Sequence, residues 1–272
     1  MKTKAQLKKV LFFNWKDIKH PQAGGAEIIT HQLAKRLVID GHTVTLITAK
    51  YNNSLDREYI DGVEVIRVGK NRFFHYSAAR KYYLKNLKNQ YDVIIEEVNT
   101  IPYFINLIKG NEKVFLFYHQ LAGPVWFKEM FQPLSTFGFL LEPIYTYIQA
   151  KFSDQTITVS NSSKEDLVRH GFDSAKIHII SEGLENKPLR NISESLPKEK
   201  IFTILFHSSL RAMKRPMEVL KVFSIFSKKY PDSQLWISGG GNQKMLKKYA
   251  TQNGFINQVK FLGEPPTSKS SS

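Results

Sequence analysis

Two adjacent glycines at the mouth of an amphipathic helix are the first residues in this sequence with the means to approach a phosphate. Gly24 and Gly25 belong to the stretch NWKDIKHPQAGGAE, Asn14 to Glu27. Val10 to Phe13 before it is too short for a helix and suits a buried parallel strand. Ile29, Leu33 and Leu37 after it recur every four residues until Gly41 ends the pattern. Glycine removes side chains where the first helical amides point outward, and the positive end of the helix dipole favours an anion there. The same pair also suits an ordinary tight turn. The glycines alone favour that turn, since the stretch is neither a Walker loop nor a G-x-G-x-x-G fingerprint.

Other candidates lie at the ends of apolar runs. His119 follows Val114 to Tyr118 and should emerge at the carboxyl rim of a sheet, facing the same crevice as Gly24 and Gly25; the alternative is a histidine bonded to a loop carbonyl. Glu96 and Glu97 also stand near a strand end. Neighbours on a strand point to opposite faces, so they are not a paired acid and base, and at most one faces the crevice. Arg211 and Lys214 follow an apolar run in the second half, where cations would neutralise a diphosphate or cap a solvated loop. Gly239, Gly240 and Gly241 permit close backbone approach to a ligand or form a flexible turn.

The elements that must position these residues alternate. Strands are expected at Val10 to Phe13, Thr43 to Thr48, Val63 to Val68, Asp92 to Glu96, Val114 to Tyr118, Thr156 to Ser160 and Ile177 to Ile180, with helical stretches between most of them. That pattern predicts a mainly parallel sheet covered on both faces, with ligands gathered at the carboxyl ends. Ser162 with Glu165 reads as a capping box and Gly171 as the stop of its helix. The polar, breaker-rich segment 185–200 reads as an interdomain linker. A second unit follows, with strands near Phe202 to Phe206, Gln234 to Ser238 and Gln258 to Leu262. Pro216 starts a helix carrying Val219, Phe223 and Phe226 on one face, and Gly254 ends the next.

Several segments together resemble glycosyltransferase family 4, retaining sugar-nucleotide-dependent enzymes of the GT-B fold. They are AGGAE at Ala23 to Glu27, FYHQLAG at Phe117 to Gly123, ITVSNSSKEDL at Ile157 to Leu167, SSLRAMKRP at Ser208 to Pro216 and LWISGGG at Leu235 to Gly241. The resemblance implies an α/β chain of two Rossmann-like doubly wound parallel-sheet domains: an acceptor-side domain over 1–190 and a nucleotide-sugar domain over 200–272. It implies a hexose transferred with retention from a nucleoside diphosphate sugar, the co-substrate, to a lipid-linked or polysaccharide acceptor. His119 would be the catalytic residue, in contact with the transferring sugar. Gly24, Gly25, Arg211, Lys214, Gly239 and Gly241 would hold donor and phosphate, without metal or cofactor. The family usually has Gly-Arg where this chain has Ser208 and Ser209; Lys214 matches the family lysine, whereas Arg211 is displaced by two residues. Family members continue well beyond FLGEPPTSKSSS with a Glu-x7-Glu motif that grips the donor, so the resemblance implies a C-terminally truncated, incomplete second domain. The alternative reading is an inactive member that binds an acceptor or membrane surface without catalysis.

Composition bounds these expectations. The chain has 272 residues, 42% of them hydrophobic, enough for two modest cores. It contains no cysteine, which excludes disulfides and thiolate metal sites. No apolar segment is long enough to span a bilayer and MKTKAQLKKVLFF is too short in its apolar part for a signal peptide, so a cytoplasmic location is expected. The net charge is +15. Lys2, Lys4, Lys8 and Lys9 crowd the N-terminus, and Arg80, Lys81, Lys85 and Lys88 interleave with Phe73, Phe74, Tyr82, Tyr83 and Leu84. This suits contact with an anionic membrane surface, or simply a solvated helix face. Nucleic acid is not an expected partner, for no recognition motif is found.

Overall fold

The computed structural model describes residues 6–70, 72–183 and 198–264. The linker expected over 185–200, apart from its last three residues, lies outside them, as do Lys2, Lys4 and the tail with Pro265 and Pro266. The chain divides into two compact units, Met1–Pro124 with Thr136–Glu185, and Val125–Ser135 with Asn186–Ser272.

Chain order runs β1 (Lys9–Phe13), α1 (Gly25–Ile39), β2 (Thr43–Thr48), β3 (Arg57–Ile60), β4 (Val63–Arg67), α2 (Arg72–Asn86), β5 (Val93–Glu97), α3 (Ile105–Ile108), β6 (Lys113–Tyr118), α4 (Trp126–Glu129), α5 (Leu134–Phe152), β7 (Gln155–Thr158), α6 (Asn161–Arg169) and β8 (Ile177–Ile179). The strands form one sheet in the order β3-β4-β2-β1-β5-β6-β7-β8. Every pairing is parallel except β3 with β4. The strand pleat sends Leu11 and Phe13 into one core and Val10 and Phe12 into the other; Leu11, Phe12 and Phe13 are sealed from water. Each such side chain contributes about 1.5–3 kcal/mol by leaving water. The α1 residue Ala34 closes one face, with Ile29, Leu33 and Leu37 packed beside it; Ala79 and Tyr83 of α2 and Leu167 of α6 close the other. Tyr83 is therefore core, not part of an exposed aromatic face, whereas Phe74 and Leu84 are exposed.

Two local expectations need correction. The strand β3 is absent from the expected set, because REYI lies on the sheet edge, exposed at alternate positions, and carries no apolar run. Its signal is the turn: Asp61 and Gly62 both take positive φ, 51° and 81°, the two-residue hairpin geometry that Asp-Gly favours. The cap of α6 is Ser160 rather than Ser162; its Oγ accepts the Ser163 amide at 3.2 Å. Gly171 does end that region with φ 93°, as Gly41 ends α1 with φ 94°.

The second unit contains β9 (Thr203–His207), α7 (Pro216–Lys229), β10 (Gln234–Ser238), α8 (Lys244–Gln252) and β11 (Val259–Gly263). Its sheet has the order β11-β10-β9, parallel throughout. Leu220 and Phe223 of α7, Leu246 and Ala250 of α8, and Leu235 and Ile237 of β10 make a separate core. Pro216 stands at the first turn of α7 and Gly254, with φ 75°, follows the end of α8.

Candidate functional site

In the first unit the strand order reverses between β1 and β5, and the crevice at such a switch point is where doubly wound sheets gather polar groups. Asn14 leaves the end of β1 fully buried. Its Nδ2 donates to Thr30 Oγ1 and to Glu97 Oε2, each at 3.1 Å, and its Oδ1 accepts from Asn99 Nδ2 at 3.0 Å. Thr30, on the inner side of α1, also bonds the Glu97 carboxylate. The two glutamates of β5 diverge as the pleat requires. Glu96 turns to the opposite face, where it accepts the amides of Tyr103, Phe104 and Ile105 and the Gln149 Nε2. Burial pushes its carboxyl up to about 7 against those donors.

His119, one residue past β6, meets Glu97 on the crevice side. Its Nε2 lies 3.4 Å from Glu97 Oε2 and its Nδ1 2.9 Å from Glu182 Oε1. The ring stacks on Phe117 at 4.5 Å, and Ser163 Oγ fixes the backbone by donating to the His119 carbonyl at 3.0 Å. Burial lowers the proton affinity of His119, but the two carboxylates outweigh it and hold the pKa above its ordinary value. Burial raises the Glu97 carboxyl, with His119 and Thr30 opposing. Both ring nitrogens face carboxylate oxygens, so the arrangement favours an imidazolium that donates on both sides. Glu97 is buried while Glu182 is 42% exposed on its side chain, so the Nδ1 partner is the one a ligand can displace.

The glycine loop is partly self-occupied. The Gly24 amide donates to Glu27 Oε2 at 2.6 Å, and Lys16 balances that buried carboxylate at 3.3 Å from Oε1. Glu27 thus takes the anion's place at one amide of the helix start. Beyond the helix's own backbone, nothing stands within 4 Å of where a Gly25 Cβ would be. A hollow of about 140 Å³ opens nearby between Ile28, Ile29 and Leu33 of α1, Phe117, Ile180 and Glu182.

In the second unit the loops after β9 and β10 are zipped together. The Ser208 amide donates to Ser238 O at 3.0 Å and the Leu210 amide to Gly240 O at 2.8 Å. Gly239 and Gly241 have φ of 138° and 133°; a Cβ on Gly239 would fall 2.0 Å from Ser208 O, and one on Gly241 2.8 Å from Leu210 Cβ. Their lack of side chains therefore serves this loop contact directly. Arg211 precedes and Lys214 ends a tight turn at Ala212–Lys214, and Arg215 follows with φ 57° immediately before α7. All three are exposed, and among the described residues no carboxylate pairs with them.

The structure thus gathers Gly24, Gly25, Glu97 and His119 in one unit and Arg211, Lys214, Gly239 and Gly241 in the other. Sequence reasoning missed Asn14, Thr30, Glu182 and Arg215. Asn14 was visible as the first polar residue after a strand and Thr30 as a polar break inside an apolar helix face; Glu182 carried no local signal. Among the described residues no group of three histidine or carboxylate side chains could hold a metal ion.

Comparison with known sequences decides the lineage: Glycosyltransferase Family 4 matches residues 23–186, and Glycosyl transferases group 1 matches 188–270. The chain belongs to glycosyltransferase family 4. It is 25% identical over 265 residues to a phosphatidylinositol N-acetylglucosaminyltransferase subunit of Arabidopsis thaliana, covering 93% of this chain and 57% of that protein. The family member described here therefore spans little more than half the length of that relative. Sucrose-phosphate synthase from Thermosynechococcus elongatus superposes with a TM-score of 0.72 at 16% identity, over 95% of this chain and 71% of that one. Anabaena HepE, solved in complex with UDP-glucose, gives 0.62 at 15% identity, over 95% and 70%. These likenesses establish the GT-B-like α/β fold.

Proposed function

We propose that this family 4 chain takes part in hexosyl transfer with retention, from a nucleoside diphosphate sugar to a lipid-linked or polysaccharide acceptor, at the cytoplasmic face of a membrane. The observation that carries the reading is the His119 clamp. Glu97 fixes one ring nitrogen from inside, leaving the Nδ1–H, now on displaceable Glu182, for a substrate oxygen. A hydrogen-bond donor held in place before substrate arrives needs no reorganisation during reaction, which is how such groups accelerate transfer. In the second unit Arg211, Lys214 and Arg215 offer cations, without carboxylate partners among the described residues, suited to a departing diphosphate. A solved neighbour of the same fold holds UDP-glucose, which supports a nucleotide sugar as the donor class. No metal or cofactor enters the proposal.

The test is thermal unfolding against uridine, guanosine and adenosine diphosphate sugars, followed by transfer assays with whichever sugar binds. A ligand that binds only the native state must raise the melting temperature. A selective rise with transfer is the expected result. A rise without transfer would leave a binding protein, and no rise with any sugar in a cooperatively folding sample would overturn the donor reading.

A further inference from the structure

The helix α5 is built inside out. Its inward face is polar: Glu142, Thr146 and Gln149, spaced four and three residues apart, are buried. Glu142 accepts the amides of Ala122 and Gly123, at 2.6 and 2.7 Å, and Gln149 donates to Glu96. Its outward face is apolar. Phe137, Leu140, Ile144 and Tyr147 are 60%, 61%, 57% and 60% exposed, with Leu141 and Phe152 beside them at 52% and 50%. On a helical projection these residues fall within an arc of roughly 140°, opposite the polar set. An ordinary surface helix has the reverse arrangement, and six large apolar side chains left half or more exposed to water are stabilised by whatever covers them.

We infer that α5 is a docking helix whose apolar stripe lies in the surface of an anionic lipid bilayer. Two observations favour lipid over a protein partner or a second copy. The only carboxylate of α5, Glu142, is turned inward, so nothing acidic on the helix faces an anionic headgroup. Lys151, exposed at the C-terminal end of the stripe, lies within headgroup reach, and the chain as a whole carries +15. Because its polar face is held to the first unit by Glu142 and Gln149, α5 offers the bilayer one side only and lies in the interface plane, with its axis along the surface; no described helix is long and apolar enough to cross a membrane. The assignment names the surface for the membrane contact in the preceding proposal, yet it is read without any sugar donor.

The experiment is co-sedimentation of the full chain with vesicles of phosphatidylcholine alone and of phosphatidylcholine with phosphatidylglycerol. The wild-type chain should bind the anionic vesicles. Leu140→Glu with Ile144→Glu should weaken that binding by about tenfold or more. Val222→Glu with Ile225→Glu, equally exposed positions on α7, should leave it unchanged. Because the chain has no cysteine, Leu140→Cys carrying an environment-sensitive fluorophore gives a second reading that does not depend on the charged variant folding. Its emission should shift to the blue on anionic vesicles, while Val222→Cys should not respond. Absence of wild-type binding, binding indifferent to the α5 variant, or an unshifted Leu140→Cys signal would each overturn the inference. So would a lipid-free dimer in sedimentation velocity that the α5 variant dissolves, since the stripe would then belong to a second copy. A wild-type chain that binds no vesicles yet keeps the nucleotide-sugar melting shift would refute only this assignment; a wild-type chain that binds vesicles through α5 but shows no such shift would refute only the transfer reading.

Discussion

The crevice of the first unit and the cation loop of the second solve opposite problems. Around His119 nearly every polar group already has an internal partner: Asn14 commits its amide to Thr30, Glu97 and Asn99, and Glu97 divides itself between Asn14, Thr30 and the imidazole. A ligand arriving there exchanges one exposed partner, Glu182, and disturbs little else. Around Lys214 the backbone is fixed by the zipped loops, but the charges of Arg211, Lys214 and Arg215 are left without carboxylates among the described residues. One region is ordered by its side chains, the other by its glycines. A rigid site is obtained in two ways, and substitutions should separate them.

The largest effect should come from the glycine-built side. Gly239→Ala combines a φ of 138° with a Cβ 2.0 Å from the Ser208 carbonyl oxygen, so the two loops cannot keep their contact. Strain of this kind costs about 1–3 kcal/mol before the clash is counted, and the total should exceed roughly 3 kcal/mol. Differential scanning calorimetry should show the second unit melting earlier while the first is unaffected. A single unchanged melting profile would show that the loops are not held as described. The next effect belongs to the side-chain-built region. His119→Ala should reduce kcat by about 100-fold, in the range found when one donor to a developing charge is removed, and should also lower the melting temperature, since buried Glu97 loses its cationic partner; steady-state kinetics below that melting temperature, with the donor identified by melting, would measure it.

This contrast also explains how much could be read in advance. Ten strands and the helix stops at Gly41, Gly171 and Gly254 were legible because apolar runs and positive-φ glycines are local signals. Glu96 and Glu97 were correctly expected on opposite faces from the strand period alone. The site residues that escaped notice are those whose role is long-range. Thr30 and Glu97 are sixty-seven positions apart and His119 and Glu182 sixty-three. Nothing in a stretch of sequence marks such a pair until the fold brings α1 and the carboxyl ends of β5, β6 and β8 to one crevice. In the second unit the reverse holds, for GGG and the basic run are conspicuous in sequence, and the structure adds that two of the glycines serve the loop contact.

Smaller effects sharpen the comparison. Glu97→Gln keeps an acceptor for Asn14 but removes the charge facing Nε2, so the pKa of His119 should fall towards its ordinary value. The sign follows from the raised pKa. The wild-type pair stabilises the fold below the unfolded histidine pKa of about 6.5, and that contribution is lost as pH rises through the higher folded value. The variant should show a weaker pH dependence of stability across that window and a lower titration midpoint for the His119 ring by NMR; an unchanged midpoint would mean Glu97 is not the partner that matters. Lys214→Ala, at an exposed position, should alter stability by less than about 0.5 kcal/mol. A charge-assisted bond to a diphosphate is worth about 1.5–3 kcal/mol, so donor affinity should drop roughly tenfold or more, as calorimetric titration would show.

The most discriminating substitution is one that should stabilise the fold. Gly25 opens α1 with space where its Cβ would be, in a helical conformation open to any residue, so Gly25→Ala should stabilise the protein by about 0.4–1 kcal/mol by restricting the unfolded chain. A glycine kept for folding alone would then be replaced at a gain. If Gly25 instead serves close approach of a ligand to the helix start, the added methyl should stabilise the free protein while weakening the melting shift caused by the nucleotide sugar. Gly239→Ala cannot make this separation, because there fold and site fail together. A Gly25→Ala protein that is both more stable and equally responsive to every nucleotide sugar would return the glycine pair to the ordinary strand-to-helix turn and leave His119 as the part of the first unit that meets the donor.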